Sequence, residues 1–572
     1  MTEGAHPYDV IVIGAGASGA PLAARLSEDP GRRVLLLEAG PDYDTVEDYP
    51  RGLKDPGNMQ GSAPGHPNNW SFLAHLTPDL PYTMARGKIV GGSTALNGTY
   101  FVRGRREDFD RYVAMGNDEW SFDKVLPYYK KAEKDLAYGD DELHGTSGPV
   151  PVYRARRNPH PLTKAFYEAA AELGFVTEPD KNGQTTPGHG PIPMNVEEGL
   201  RINTAFAYVN PARDRPNFTV QGDTFVRRVT FHGHRATGVE VERNGRISVI
   251  SGREIVLSGG AVKSPHILML SGIGPKAELV AAGIDVLVDS PGVGKNFTDH
   301  PDLGIGYKTT RDVQWTASGD ALQGMLNFEA TDSPFKGGDL EIIHCIKPFG
   351  VFVMGSTVTD PRNVIELLRR PVATLRAAKG MSLKRLAQQI WHQGDFALLV
   401  AVQQPVGRGT ITIESSDPNV QPRVDYRYLE LEDDLRRMRE AVRTAVKILQ
   451  TRAYSRYVKR ITELSPEILA NDRSLDEWMR THLATAIHAC SSARMGPATD
   501  PENVVDQHGR VYGVEGLRVA DTSILPTVVS RGPAATAIMI GERMADFVAT
   551  DAGEVSDGAR VASATPGDGR RT

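Results

Sequence analysis

Six residues near the start of the chain, Gly14-Ala15-Gly16-Ala17-Ser18-Gly19, have the types and spacing that hold a dinucleotide. Gly14 permits a tight turn, Gly16 lets backbone come against a pyrophosphate, and Gly19 lets the following helix pack close on its strand. The helix start then offers unpaired N–H groups and the positive end of its dipole to phosphate oxygens. Glycine-rich turns are common, so the motif gains meaning only from its surroundings: a strand before, a helix after, and an acid at a strand end. Residues 8–13 read as the buried strand, 17–26 as the helix, and 33–37 as a second strand closed by Glu38-Ala39. Glu38 is placed to take a ribose 2′-hydroxyl, which favours FAD or NAD over NADP and leaves the choice between those two open.

These residues need a large frame. The chain has 572 residues, 40% hydrophobic and 24% charged, enough for two or three domain-sized cores. A net charge of −6 and a pI near 6.2 argue against a nucleic-acid binder. No apolar run is long enough to span a bilayer, and "MTEGAHPYD" lacks the pattern of a signal peptide. Cys345 and Cys490 are the two cysteines, too few for a disulfide framework, so the expectation is reduced thiols in the cytoplasm and no metal site. Residues 41–84, rich in Pro, Gly and Asn, read as an extended excursion. Residues 225–241 and 247–257 read as strands of a meander, turned at Asn244-Gly245. Residues 435–449 read as an amphipathic helix. The stretch 352–391 carries Arg362, Arg369, Arg370, Arg376, Lys379, Lys384 and Arg385 among apolar residues. It reads as a lid or solvated helical face, with peripheral contact at the inner face of the cell membrane as the other reading.

Two further segments, "GKIVGGSTALNGTYFVRGRREDFD" (87–110) and "GAVKSPHILMLSGIG" (260–274), together with the closing "GLRVADTSILP" and "IMIGERMAD", resemble the signature segments of the glucose–methanol–choline (GMC) oxidoreductases. The resemblance spans residues 8–548 and decides for FAD. It implies an α/β fold in which a Rossmann-like βαβ domain (7–45, 85–150, 222–310 and 486–550) is interleaved with an α+β substrate domain carrying an antiparallel sheet (151–221 and 311–485), ahead of a disordered tail (551–572). Gly87, Gly91, Gly92 and Ser93 would let backbone lie against the flavin, with Asn97 near its ring. Some members attach FAD through a histidine just before that asparagine; Leu96 stands there, which implies a noncovalent cofactor. Val226 matches a residue that contacts the adenine through its backbone, and Asp521 an acid near the pyrophosphate.

The same resemblance picks one base out of fifteen histidines. His488, in "AIHACSSARMG", matches the family's catalytic histidine, and an imidazole with pKa near 6.5 suits removal of a hydroxyl proton. A second His or Asn usually follows some forty residues later. That position is Gly532 here, which implies an open space beside the flavin, with Arg531 next door able to stabilise a developing alkoxide or to serve a buried network. "LHGTSGPVPV", "TDHPD" (298–302) and "SRGPAATAIM" further resemble the mycofactocin-associated branch of actinobacteria. That likeness implies a mycofactocinol dehydrogenase handing electrons to a quinone, another respiratory component or O₂. Residues 311–395 look longer than in that branch. The alternatives are oxidation of choline or another alcohol, or a non-redox lyase or decarboxylase on the same fold.

Overall fold

The computed structural model describes residues 7–139, 141–155, 158–310, 313–316, 319–354 and 394–562. Its nucleotide side is built on a sheet of seven strands among these residues. Tyr8–Ile13 lies between Val34–Leu37 and the second half of Arg246–Leu257, all parallel. Val10 to Ile13 and Val34 to Leu37 are buried, as strands covered on both faces must be, which explains their unbroken β-branched and aliphatic runs. The strand Arg246–Leu257 does two jobs. Its first half pairs antiparallel with Arg235–Arg243, and its last residues pair parallel with Tyr8–Ile13 and with Leu517–Val519. The hairpin before it turns at Asn244 (φ 52°) and Gly245 (φ 72°), the left-handed pair that a two-residue turn requires.

The second sheet is antiparallel, ordered Val458–Ile461, Pro301–Thr309, Phe396–Val402, Leu340–Cys345, Leu322–Phe328, His189–Pro191. Helix Glu432–Gln450 covers one face with Leu435, Met438, Val442, Ala445 and Leu449, the stripe expected over 435–449, and runs a few residues beyond it. The other face carries Met325 and Ile343 in a separate apolar cluster with Val102, Ile192 and Met194, and Tyr100 packs against that cluster. Glu341, on this face, accepts from the Tyr100 hydroxyl at 3.0 Å.

Several boundaries differ from the sequence reading. Phe218–Gln221, assigned to the substrate domain, is an edge strand of the nucleotide sheet, parallel to Val34–Leu37. Pro301–Thr309, assigned to the cofactor domain, pairs with Phe396–Val402 in the antiparallel sheet. Both strands lie at switches between domains, where the partner strand rather than local composition decides membership. The excursion 41–84 contains a hairpin, Phe72–Thr77 with Leu80–Met84, in a four-stranded sheet. Its alternating burial of Phe72, Ala74 and Leu76 was masked by the surrounding prolines and glycines. The closing helix runs Ala534–Ala562, so residues 551–562 are helical where a disordered tail was expected. From residue 355 onward the basic stretch 352–391 lies outside the described residues. No helix among the described residues is long and apolar enough to cross a membrane. Cys345 and Cys490 are both buried and free.

Candidate active site

The glycine turn is tight because side chains have no room. Gly14 has φ 101°, and a Cβ there would lie 2.4 Å from the Ser258 carbonyl oxygen; one on Gly19 would lie 1.9 Å from the Gly14 oxygen. Gly16 differs: a Cβ there would meet only Gly92 Cα, at 3.8 Å. The second signature segment folds onto this turn. The Gly91 N–H donates to Ala15 O at 2.8 Å, Gly87 N–H to Ser93 Oγ at 3.1 Å, and Gly92 (φ 51°) lies against Gly16. Helix Gly19–Leu26 begins without a side-chain cap and without an acid in its first turn, leaving orphan N–H groups for a phosphate. Ala17 stands half-buried just before it, and Ser18 is turned away, its hydroxyl donating to Ala537 O at 2.6 Å.

Glu38 is buried across this turn, accepting from Ala15 N–H (3.1 Å) and Gly40 N–H (2.9 Å), beside half-buried Ala39. Burial pushes its carboxyl up to about 7 against those bonds. Asp521 is buried at the start of helix Gly260–Leu270, accepting from Gly260 N–H, Ser264 Oγ and Ser523 N–H; burial raises its pKa. Val226 is buried at a bulge in Phe225–His232, and Asn97 Oδ1 accepts from Thr99 N–H. An uncapped helix start, a backbone cradle at Gly16 and a buried acid nineteen residues beyond the turn fit a dinucleotide with an unphosphorylated ribose. Thr204, whose hydroxyl donates to Gly16 O at 3.2 Å, was not anticipated.

The second half of the site is a histidine pair. Thr298 and Cys490 exchange backbone hydrogen bonds, and Pro301 pairs with Thr485, so "TDHPD" and "AIHAC" run antiparallel. This sets His300 Nδ1 2.8 Å from His488 Nδ1, the rings at 83°. His300 is fully buried, and its Nε2 lies 3.0 Å from Val529 O. A carbonyl only accepts, so Nε2 of His300 carries the proton. Burial lowers the pKa of His300 to about 4, so it is neutral and its Nδ1 is bare. His488 must then donate from Nδ1, which leaves its own Nε2 as a lone pair. Burial, with His300 and Arg86 adding to it, holds His488 well below the ordinary histidine range.

The backbone holding that imidazole is pinned. Ile487 has φ 62°, unusual for a β-branched residue. Its N–H donates to Thr485 Oγ1, its carbonyl accepts from Arg86 Nη1 at 2.5 Å, and the N–H of His488 donates to Asp299 Oδ1 at 2.6 Å. Asp299 also accepts from His300 N–H at 2.7 Å. Neither His300 nor Asp299 was singled out in the sequence, although an acid-histidine pair directly before a strand was the available signal.

Gly532 lies beside His488 as expected, but the space is not open. A Cβ there would stand 3.0 Å from Cδ1 and Cε1 of Tyr100 and 3.1 Å from Cε1 of His488. Arg531 is fully buried and its terminal nitrogens are engaged: Nη1 donates to Gly338 O and Ser530 O, and Nη2 to Gly337 O. Those donors staple two glycines of positive φ (82° and 87°), while the buried Nε of Arg531 has no hydrogen-bond partner. Elsewhere, Glu133, Asp135 and His144 bring ligand-type atoms together, but Arg103 and Arg154 pair with the two carboxylates and His144 reaches Asp180 at 2.8 Å. The cluster is a buried ion network that ties down the segment between 133 and 154.

Two family models described as GMC oxidoreductase match residues 8–302 and 405–541. An "Uncharacterized GMC-type oxidoreductase in thcA 5'region" of Rhodococcus erythropolis is 35% identical over 553 residues, covering 96% of this chain and 100% of that one. An oxygen-dependent choline dehydrogenase of Sinorhizobium fredii is 36% identical over 552 residues, covering 94% and 95%. Among solved structures, pyridoxine 4-oxidase from "Mesorbium loti" superposes with a TM-score of 0.81 at 27% identity, over 94% of this chain and 98% of that one. On these matches this chain belongs to the GMC oxidoreductase family, FAD-dependent oxidoreductases that act on alcohol-type donors.

Proposed function

We propose that the chain oxidises a CH–OH group, with Nε2 of His488 taking the hydroxyl proton. The observation that carries this reading is the directed relay Val529 O, His300, His488, which leaves one unprotonated nitrogen on a pinned imidazole. FAD, when bound, supplies the acceptor for the hydride. The chain's own residues hold it through the Gly14–Gly19 turn, Glu38 and the Gly91-Gly92 segment, and Leu96, buried before Asn97, offers no nucleophile for a covalent link. Denatured protein should therefore release intact flavin.

For the alcohol, we infer reduced mycofactocin, with electrons passing to a quinone or another respiratory component. "LHGTSGPVPV", "TDHPD" and "SRGPAATAIM" support that reading. A second reading has its own support. Asp302, Ala401 and Glu341 are register partners in one row of the antiparallel sheet, on the side that meets Tyr100. Asp302 keeps one buried oxygen without a partner, and burial raises its pKa to about 7. Two carboxyls in that wall favour an alcohol carrying a cation, the class to which choline belongs.

The test is anaerobic flavin bleaching with mycofactocinol, choline and benzyl alcohol. His488→Ala should retain FAD and slow bleaching by about two to four orders of magnitude. Near-normal bleaching in that variant would remove the base role from His488, and no bleaching of wild type by any alcohol would sink the oxidation reading.

A further inference from the structure

The space beside Gly532 is filled by an aromatic ring that the reaction described above does not use. Tyr100 lies on the segment that follows Asn97, where Thr99 adopts φ 60° and re-aims the chain. Its hydroxyl donates to Glu341 Oε2 at 3.0 Å. Glu341 is itself fixed: Asn327 Nδ2 donates to the same oxygen at 3.0 Å and Gln403 Nε2 to Oε1 at 2.9 Å. The phenol is therefore anchored at its far end by a buried carboxylate that has no freedom to follow it elsewhere. At its near end, the ring edge and the His488 ring reach the same point, where a Cβ on residue 532 would stand.

We propose that Tyr100 is the specificity-determining residue of this site: the absent side chain at Gly532 admits its ring, and the ring, anchored on Glu341, walls the site beside the His488 imidazole. This rests on the alcohol-oxidation reading. A rigid ring edge at that place excludes extra bulk on the carbinol carbon on the Gly532 side, so the site takes primary alcohols in preference to secondary ones. Tyr100 and Gly532 act as a matched pair: the ring needs the absent side chain, and a side chain at 532 needs the ring gone.

The experiment uses the FAD-loaded full chain and two measurements. Anaerobic bleaching is followed with benzyl alcohol and with 1-phenylethanol, which differ by one methyl on the carbinol carbon. Tyr100→Ala should reduce the primary-to-secondary rate ratio by about 10-fold or more, the range in which one methyl discriminates in a shaped pocket. Tyr100→Phe, which keeps the ring, should leave that ratio close to wild type. Separately, Gly532→Ala should lower Tm by about 2–4 °C in the wild-type background, where it overpacks against Tyr100 and His488, and by less than half of that in the Tyr100→Ala background, where the His488 contact alone remains. An unchanged ratio in Tyr100→Ala overturns the specificity role. Additive Tm changes overturn the pairing. If neither alcohol bleaches the flavin of any variant, the specificity claim falls with the oxidation reading, and the Tm cycle still decides the steric pair.

Discussion

A buried imidazole is useful as a base only if its protonation state and tautomer are both decided before substrate arrives. Here, burial first and then His300 and Arg86 disfavour the imidazolium of His488. Its folded pKa is depressed, so the base form is present at and above the ordinary histidine range and is lost as pH falls well below it. kcat/KM for flavin reduction should accordingly stay flat from pH 8 through about 6.5, the ordinary histidine value, and decline only in more acid solution. An acid limb centred at or above that value would contradict the environment described for His488. His300 is the residue that decides the tautomer. His300→Phe keeps a ring of similar shape and removes the acceptor for His488 Nδ1–H, so reduction should slow by about 10–100-fold, the usual cost of losing a residue that orients another. Because His300 also depresses His488, its removal should move the acid limb to higher pH, a change that loosened packing alone does not produce.

Glycines do different work in different elements, and stability separates them. Gly19→Ala would put a Cβ 1.9 Å from the Gly14 carbonyl oxygen, a backbone atom that cannot swing aside. It should cost about 3 kcal/mol through overpacking and lose FAD with the turn. Gly245→Ala has nothing within 4 Å and φ 72°, so it carries only the left-handed penalty of about 1 kcal/mol. Thermal melts and flavin content of the two variants check the contrast; equal losses would mean that the Gly14–Gly19 turn is not sterically closed. These elements were the legible part of the sequence, because each is coded locally. The βαβ unit shows in two short apolar strands, three glycines and one acid, and the meander turn shows in Asn244-Gly245. Tyr100 was not legible, since its importance comes from Glu341, which is 241 residues away. Gly532 was placed correctly beside His488 and its surroundings were read wrongly, because sequence shows a missing side chain but not the ring that enters the space.

At the scale of the whole molecule the nucleotide site is closed by the far end of the chain. Leu517–Val519 completes the sheet beside Ile255–Leu257, and the closing helix lies against Gly19–Leu26. Gly541 can approach Ser18 only because it has no side chain; a Cβ there would be 2.2 Å from the Ser18 oxygen. Glu542, fully buried, accepts from Arg25 Nε at 2.8 Å, Arg25 Nη2 at 3.0 Å and Tyr208 OH at 2.8 Å. Sheet membership was misjudged at Phe218–Gln221 and Pro301–Thr309 for the same reason: partners are set by a topology that interleaves distant segments. Glu542→Ala strips Arg25 Nε and the Tyr208 hydroxyl of their shared acceptor, so it should lower Tm and weaken FAD retention together. The stronger consequence concerns the front half. A fragment of residues 1–302 contains the glycine turn, Glu38 and the Gly91-Gly92 segment, yet lacks the strand and helix that bury their backs. Expressed alone it should be colourless and expose its apolar surface, and co-expression with residues 303–572 should restore yellow colour. A front fragment that bound FAD stoichiometrically by itself would show that the closing helix is dispensable to the cofactor site, and that the two ends of this chain fold independently.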